Sequence, residues 1–155
     1  MLWEKIRKSA TKLIEQRRPH LVKKVQKGLK LSNAIQKISP KLGKKFAKKA
    51  FSEIRENLFG DSIQFLITGG GAVTTKTLEF FNGIGYHLSN GYGMTEIGIA
   101  SVELSESSKI LNSGSAGKPF GSIKFKVNEK GLLEVQSKSI ATEIYVRGEK
   151  QEYND

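Results

Sequence analysis

The spacing of apolar residues changes once along this chain, and that change divides it into two kinds of structure. Up to Leu58 apolar side chains recur at helical intervals. Leu2, Trp3, Ile6, Ala10, Leu13 and Ile14 form one series and Leu21, Val22, Val25 and Leu29 a second, with lysines filling the gaps. Such a pattern predicts amphipathic helices that bury one stripe and wet the other. Ser39-Pro40 interrupts it, because proline disfavours a helical residue before it and suits the first turn after it. Beyond this break Phe46, Ala47, Ala50, Phe51, Ile54 and Leu58 share one face of a further helix, for which Gly60 is the expected stop.

From residue 61 the period is that of strands. Residues 62–67 predict a short buried strand leading into Thr68-Gly69-Gly70-Gly71-Ala72. A helix over 74–82 is expected next, with Thr74 as its N-cap and Leu78 and Phe81 turned inward. Tyr86-His87-Leu88 predicts a second strand that runs directly into Ser89-Asn90-Gly91-Tyr92-Gly93-Met94-Thr95-Glu96. Strand, glycine turn, helix and strand make a parallel α/β unit, which places ligands at the carboxyl ends of its strands. After residue 98 the pattern is all-β: a strand over 99–102, a serine-rich connection over 105–116, and a hairpin pairing 122–127 with 132–136 across Asn128-Glu129-Lys130-Gly131. Residues 137–155 carry two short apolar pieces and a polar tail, and no internal repeat is present. The expected fold is α/β: basic helices over 1–60, the parallel unit over 61–98, and hairpin or barrel-like strands over 99–155.

At 155 residues the chain is one domain or a piece of one. With no cysteine, disulfides, thiolate zinc sites and cysteine nucleophiles are all excluded, and two histidines argue against a histidine-built metal site. No apolar run approaches the roughly eighteen residues of a membrane span, and the basic N-terminus lacks the apolar core of a secretory signal. A cytoplasmic protein is the expectation.

Charge is distributed unevenly. Residues 1–50 hold sixteen lysines and arginines against Glu4 and Glu15, whereas 51–155 hold ten basic against thirteen acidic residues. Three readings of the basic segment stand beside one another: a solvated face whose lysine stems cover the core, peripheral contact with an anionic membrane, or a nucleic-acid surface. The last is least favoured, since aromatic and basic residues do not interleave there. A non-enzymatic basic helical module is therefore the rival to any enzymatic reading. Trp3 is spaced as a core residue, and His20 and His87 are expected to be structural.

Two motifs can carry chemistry. Gly69-Gly70-Gly71, after a strand and before a helix, lets backbone approach a flat base or a phosphate closely, but many such turns are glycine-rich for steric reasons alone. Tyr92 between two glycines offers a ring for stacking, Thr95 a hydroxyl and Glu96 a carboxylate for a cation; equally, the tyrosine packs and the glutamate is solvated. Their occurrence together, on adjacent parallel strands, favours a nucleotide site.

The run ITGGGAVTTKTLEFFNGIGYHLSNGYGMTEIG resembles the stretch of the adenylate-forming (AMP-binding) superfamily whose members read roughly I-S-G-G-A-P-L, then F-F, then E/Q/N-G-Y-G-L/M-T-E. Farther on, GSAGKPFGSIKFKV and KGLLEVQSKSI are similar to that family's later segments, and WEKI with the long basic helical stretch resembles its long-chain acyl-CoA synthetase branch.

The resemblance implies ATP-dependent activation of a fatty or other carboxylic acid as an acyl adenylate, followed by capture by the thiol of CoA, with Mg²⁺ as the metal. It implies that Gly70, Gly71 and Ala72 line the adenine and that Asn90 lies near its amino edge. It further implies that Tyr92 stacks on the ring, that Thr95 meets the α-phosphate, that Glu96 holds Mg²⁺, and that Gly91 and Gly93 border the acyl pocket. Gly71 and Ala72 stand where the family has alanine and proline, Gly121 replaces a proline, and Leu132 replaces an acid. The family's phosphate loop, S/T-S/T-G-S/T-T-G-x-P-K, does not occur in this sequence. It would lie before Met1, and the family's T-G-D segment and catalytic lysine after Asp155. The chain is thus expected to be an internal piece of a synthetase, with no acyl-adenylate synthesis of its own.

Overall fold

The computed structural model describes residues 2–152. The first half is helical: α1 (Leu2–Arg17), a 3-10 turn (Pro19–Leu21), α2 (Val22–Ile38), α3 (Pro40–Ala50) and α4 (Ser52–Leu58). Ser39 is extended at φ −139° and ψ 100°, so α2 and α3 break at the expected serine-proline pair. The single helix expected across 46–58 is instead two. Phe51, at φ −120° and ψ 22°, leaves helical geometry and turns its ring into the core, and Ala50 becomes exposed. Gly60, at φ +73°, ends α4 by donating its N–H to Arg55 O at 2.8 Å.

Only part of the apolar stripe of α1 packs inside the molecule, Leu2 and Leu13 remaining exposed. Trp3 meets Phe59 and Phe81 edge-on at 5.9 and 5.3 Å, and Ile6 and Ala10 pack against the same core of Leu78, Phe81, Ile84 and Leu88. Lysines and arginines are left on the outer faces, the geometry of a solvated charged surface. Among the described residues no helix is long and apolar enough to cross a membrane.

A three-stranded sheet follows, β1 (Leu66–Thr68), β2 (Leu88–Met94) and β3 (Gly98–Val102), in the order β1-β2-β3. β1 and β2 are parallel, Leu66 opposite Leu88 and Thr68 opposite Asn90, and α5 (Thr75–Gly83) makes the crossover. β2 and β3 are antiparallel with a bulge between Tyr92 and Gly93. Two expectations are corrected here. β1 is shorter and later than 62–67, and it alternates: Leu66 and Thr68 are buried on α5's side while Ile67 is 56% exposed. β2 begins at Leu88 rather than Tyr86, and residues 89–94 are themselves the strand rather than a loop after it.

Tyr86 precedes β2 and locks α4 to it. Its hydroxyl lies 3.0 Å from both Arg55 O and Gly60 O, and the Arg55 guanidinium sits 4.1 Å from the centre of its ring. Arg55 is fully buried, and its Nε donates to Asp61 Oδ1 at 2.6 Å.

The last third holds α6 (Ser108–Leu111), which lies within the serine-rich connection, and two hairpins, β4 (Ile123–Val127) with β5 (Leu133–Ser137) and β6 (Glu143–Val146) with β7 (Glu149–Glu152). Ile97, Ala100 and Ile123, flanked by Tyr92, Phe125, Val135 and Ile140, make a second small core. The strands form the hairpins expected of this part of the chain, and no closed barrel exists among the described residues. Ile67 on β1, Phe65 before it and Ile99 on β3 are more than half exposed. Parallel strands are normally covered on both faces, so this architecture is consistent with part of a larger domain.

Candidate functional site

Parallel pairing brings the two motifs together. Thr68 lies opposite Asn90, and the next residue, Gly69, lies beside β2, where a Cβ on it would make ordinary contact with Gly91 O at 3.5 Å. The turn then leaves the sheet through Gly70, whose φ of +72° belongs to the left-handed region that glycine adopts freely. Residues 69–72 are exposed, and α5 begins just beyond them. Thr74 occupies the N-cap position, but its hydroxyl bonds Thr77 Oγ1 at 3.0 Å instead of capping backbone N–H groups.

The two glycines around Tyr92 answer to the sheet. A Cβ on Gly91 would meet Ser101 O at 3.1 Å, and one on Gly93 would drive into Gly98 O and lie 3.0 Å from Ile99 Cα. Both are glycine because β3 crosses closely at the bulge, whatever else borders them. Tyr92 is half-buried, its ring edge-on to Phe125 at 5.9 Å and its hydroxyl 3.6 Å from Met94 Sδ. The ring therefore packs on the β4–β5 hairpin while keeping part of its surface accessible.

Asn90 is tied on both sides. Its Nδ2 donates to Gly114 O at 2.8 Å, and its carbonyl accepts the Glu103 N–H at 2.9 Å. Glu103 in turn accepts the Ser105 N–H at 2.8 Å and the Ser115 hydroxyl at 2.6 Å. The Gly114-Ser115-Ala116-Gly117 segment is thereby stitched against the end of β2. Sequence reasoning placed this segment in the resemblance but not beside Asn90; the signal was its two glycines, Gly114 and Gly117, both at positive φ.

Thr95 and Glu96 lie in the turn that joins β2 to β3, Thr95 exposed and Glu96 partly so. At about 3.3 Å per residue they stand on the order of 15 Å along the strand from Asn90. The candidates are thus spread as a line: the glycine turn and Asn90 at one end, Tyr92 midway, Thr95 and Glu96 at the other. The tip is held by Ala141, which donates to Glu96 O at 2.6 Å, and by the Ser139 hydroxyl, which donates to Ile97 O at 2.8 Å.

Among the described residues no three His, Asp or Glu side chains cluster as a metal site. A magnesium ion bound chiefly through phosphate oxygens and water needs only one or two carboxylates, and Glu96 fits as a single such ligand.

His87, just before β2, is buried beneath Phe65, with ring centres 4.9 Å apart. Lys44 Nζ lies 3.1 Å from its Nδ1; the ammonium can only donate, so Nδ1 accepts and Nε2 carries the proton. Burial, and after it the Lys44 charge, holds this imidazole below the ordinary histidine pKa. Phe65 and Lys44 thus enclose it immediately before β2.

A profile of the AMP-binding enzyme family matches residues 4–151. Over 90 aligned residues the chain is 31% identical to the chloroplastic long-chain-fatty-acid–acyl-carrier-protein ligase AEE15 of Arabidopsis thaliana, an alignment covering 51% of this chain. The same alignment spans 12% of that protein's length.

Proposed function

The chain belongs to the AMP-binding enzyme family, and from that premise we propose that it supplies half of the adenylate site of an ATP-dependent acid ligase. The acid is a fatty acid, activated as its acyl adenylate and passed to the thiol of CoA. The observation that supports this most is the parallel register of β1 and β2, which sets the turn at 69–72 beside Asn90 and Tyr92. A purine laid on that shelf meets backbone from Gly70, Gly71 and Ala72 and the accessible part of the Tyr92 ring.

In this reading an oxygen of the fatty-acid carboxylate attacks the α-phosphorus, the bond to the β-phosphate breaks and pyrophosphate leaves. The thiol then displaces AMP from the acyl carbon. Thr95 donates its hydroxyl to an α-phosphate oxygen, and the Glu96 carboxylate would hold Mg²⁺, which would supply positive charge toward the phosphates. Gly91 and Gly93 keep the strand narrow where the acyl group passes. Because no phosphate-loop lysine is present in the sequence, the 155-residue chain alone is proposed to bind nucleotide without making acyl adenylate.

Photolabelling with 8-azido-ATP tests the reading. Labelled peptides are expected from residues 69–96, with loss of label when unlabelled ATP competes. Label confined to the lysines of residues 1–50, or not displaced by ATP, would refute it, and fatty-acid-dependent pyrophosphate exchange by the chain alone would refute the inactivity.

A further inference from the structure

A cleft of about 580 Å³ opens between α1, α2 and the α3–α4 corner, remote in sequence from the shelf and sharing none of its residues. Its volume falls in the range of small-molecule sites, roughly 300–1,000 Å³. The walls are apolar, with Leu13, Ile14, Val25, Phe46, Ile54 and Leu58 among them. Leu13 of α1, one of the lining residues, is 43% exposed.

Charge at the mouth has one sign once its internal pairing is counted. Arg18 and Glu53 neutralise each other through two contacts of 2.6 Å, whereas Arg17 and Lys24 form no ion pair among the described residues. An apolar slot with two free cations at its lip complements a ligand with one apolar chain and one anionic head.

We propose that this cleft binds a single-chain anionic amphiphile, a long-chain carboxylate or an alkyl phosphate, with its chain between α1, α2 and α4 and its head at Arg17 and Lys24. It shares no residue with the Gly91 and Gly93 border to which the proposed function assigns the acyl group. The proposal does not rest on the nucleotide reading. Tyr92→Ala leaves amphiphile binding unchanged even where it weakens nucleotide binding.

The test is titration of the full chain with cis-parinaric acid below its micelle concentration, with alkanoates from ten to sixteen carbons as competitors. Saturable one-to-one binding is expected, strengthening up to about fourfold per methylene until the cleft is filled. The matching alcohol binds at least tenfold more weakly. Arg17→Glu with Lys24→Glu weakens binding at least tenfold, whereas Lys41→Glu with Lys45→Glu, the same charge change at exposed positions of α3 outside the cleft, alters it less than twofold. Ala50→Phe, which fills the cleft from an exposed position, weakens the longest chains most, with circular dichroism confirming that each variant is folded. Equal loss from the two charge-reversal pairs would overturn the proposal. So would binding confined to phosphatidylglycerol vesicles with no saturable uptake of monomeric alkanoate, since that result describes a membrane surface.

Discussion

Gly93→Ala separates what β2 owes to the sheet from what it owes to a ligand. Gly93 faces Ile99 across the β2–β3 pair immediately after the bulge, and an added methyl would press on Gly98 O and stand 3.0 Å from Ile99 Cα and 3.2 Å from Gly98 C. All three obstacles are backbone, so no side chain can rotate away; the strands themselves must part. Forcing one carbon into a packed site costs about 1–3 kcal/mol. For a chain of this size each kcal/mol lowers the melting temperature by roughly 2–4 °C, which gives a fall of roughly 2–12 °C. Gly121, where a Cβ would meet nothing within 4 Å, is the matched control. Thermal unfolding followed by far-UV circular dichroism on the ligand-free full chain is the assay. A Gly93→Ala protein that melts within a degree of the Gly121→Ala protein would refute the close-approach argument and leave Gly93 to be explained by what binds there.

Further predictions rest on single interactions. Because burial and Lys44 depress the His87 pKa in the folded state, the unfolded chain binds its proton more readily. This stabilising contribution is complete above the unfolded imidazole value of about 6.5 and is lost as pH falls below it. Urea midpoints are therefore expected to drop from pH 7 to pH 5, and to drop less in His87→Gln; equal slopes would contradict this. Tyr86→Phe strips the hydroxyl shared by Arg55 O and Gly60 O and is expected to cost about 1–2 kcal/mol in urea titrations. In Glu96→Gln the gain in ATP affinity that Mg²⁺ gives the wild-type chain disappears while Mg²⁺-free binding stays the same; a retained magnesium effect would remove Glu96 from the metal.

Long, strongly periodic segments were readable from sequence because their signal sums over many residues. The breaks at Ser39-Pro40 and Gly60 follow from backbone chemistry that no tertiary contact overrides. The β4–β5 hairpin was readable for the same reason: Asn128 Oδ1 accepts the N–H groups of Lys130 and Leu132, a local bond that closes the turn.

What was missed is short or tertiary. The α6 helix has four residues, too few to show a period, and is held by packing of Ser108 and Leu111 against the body of the fold. The β6–β7 turn puts Arg147 at φ +52° ahead of Gly148 at φ +89°, and arginine is a residue that turn chemistry does not suggest there. The glycines of residues 89–94 mimic a loop; pairing of Ser89 and Asn90 with β1 and of residues 91–94 with β3 makes them strand. The candidate residues can be named from sequence, but their linear spread from Asn90 to Glu96 depends on that strand.

The central claim is that Tyr92, beside the turn at 69–72, is a stacking surface for adenine, and calorimetric titration of the full chain with AMP tests it most directly. The account predicts saturable binding by the wild-type chain, affinity kept in Tyr92→Phe, and a loss of about three- to tenfold in a folded Tyr92→Ala, the worth of one aromatic contact. No measurable AMP binding by the wild-type chain, or equal affinity in Tyr92→Ala, would contradict it.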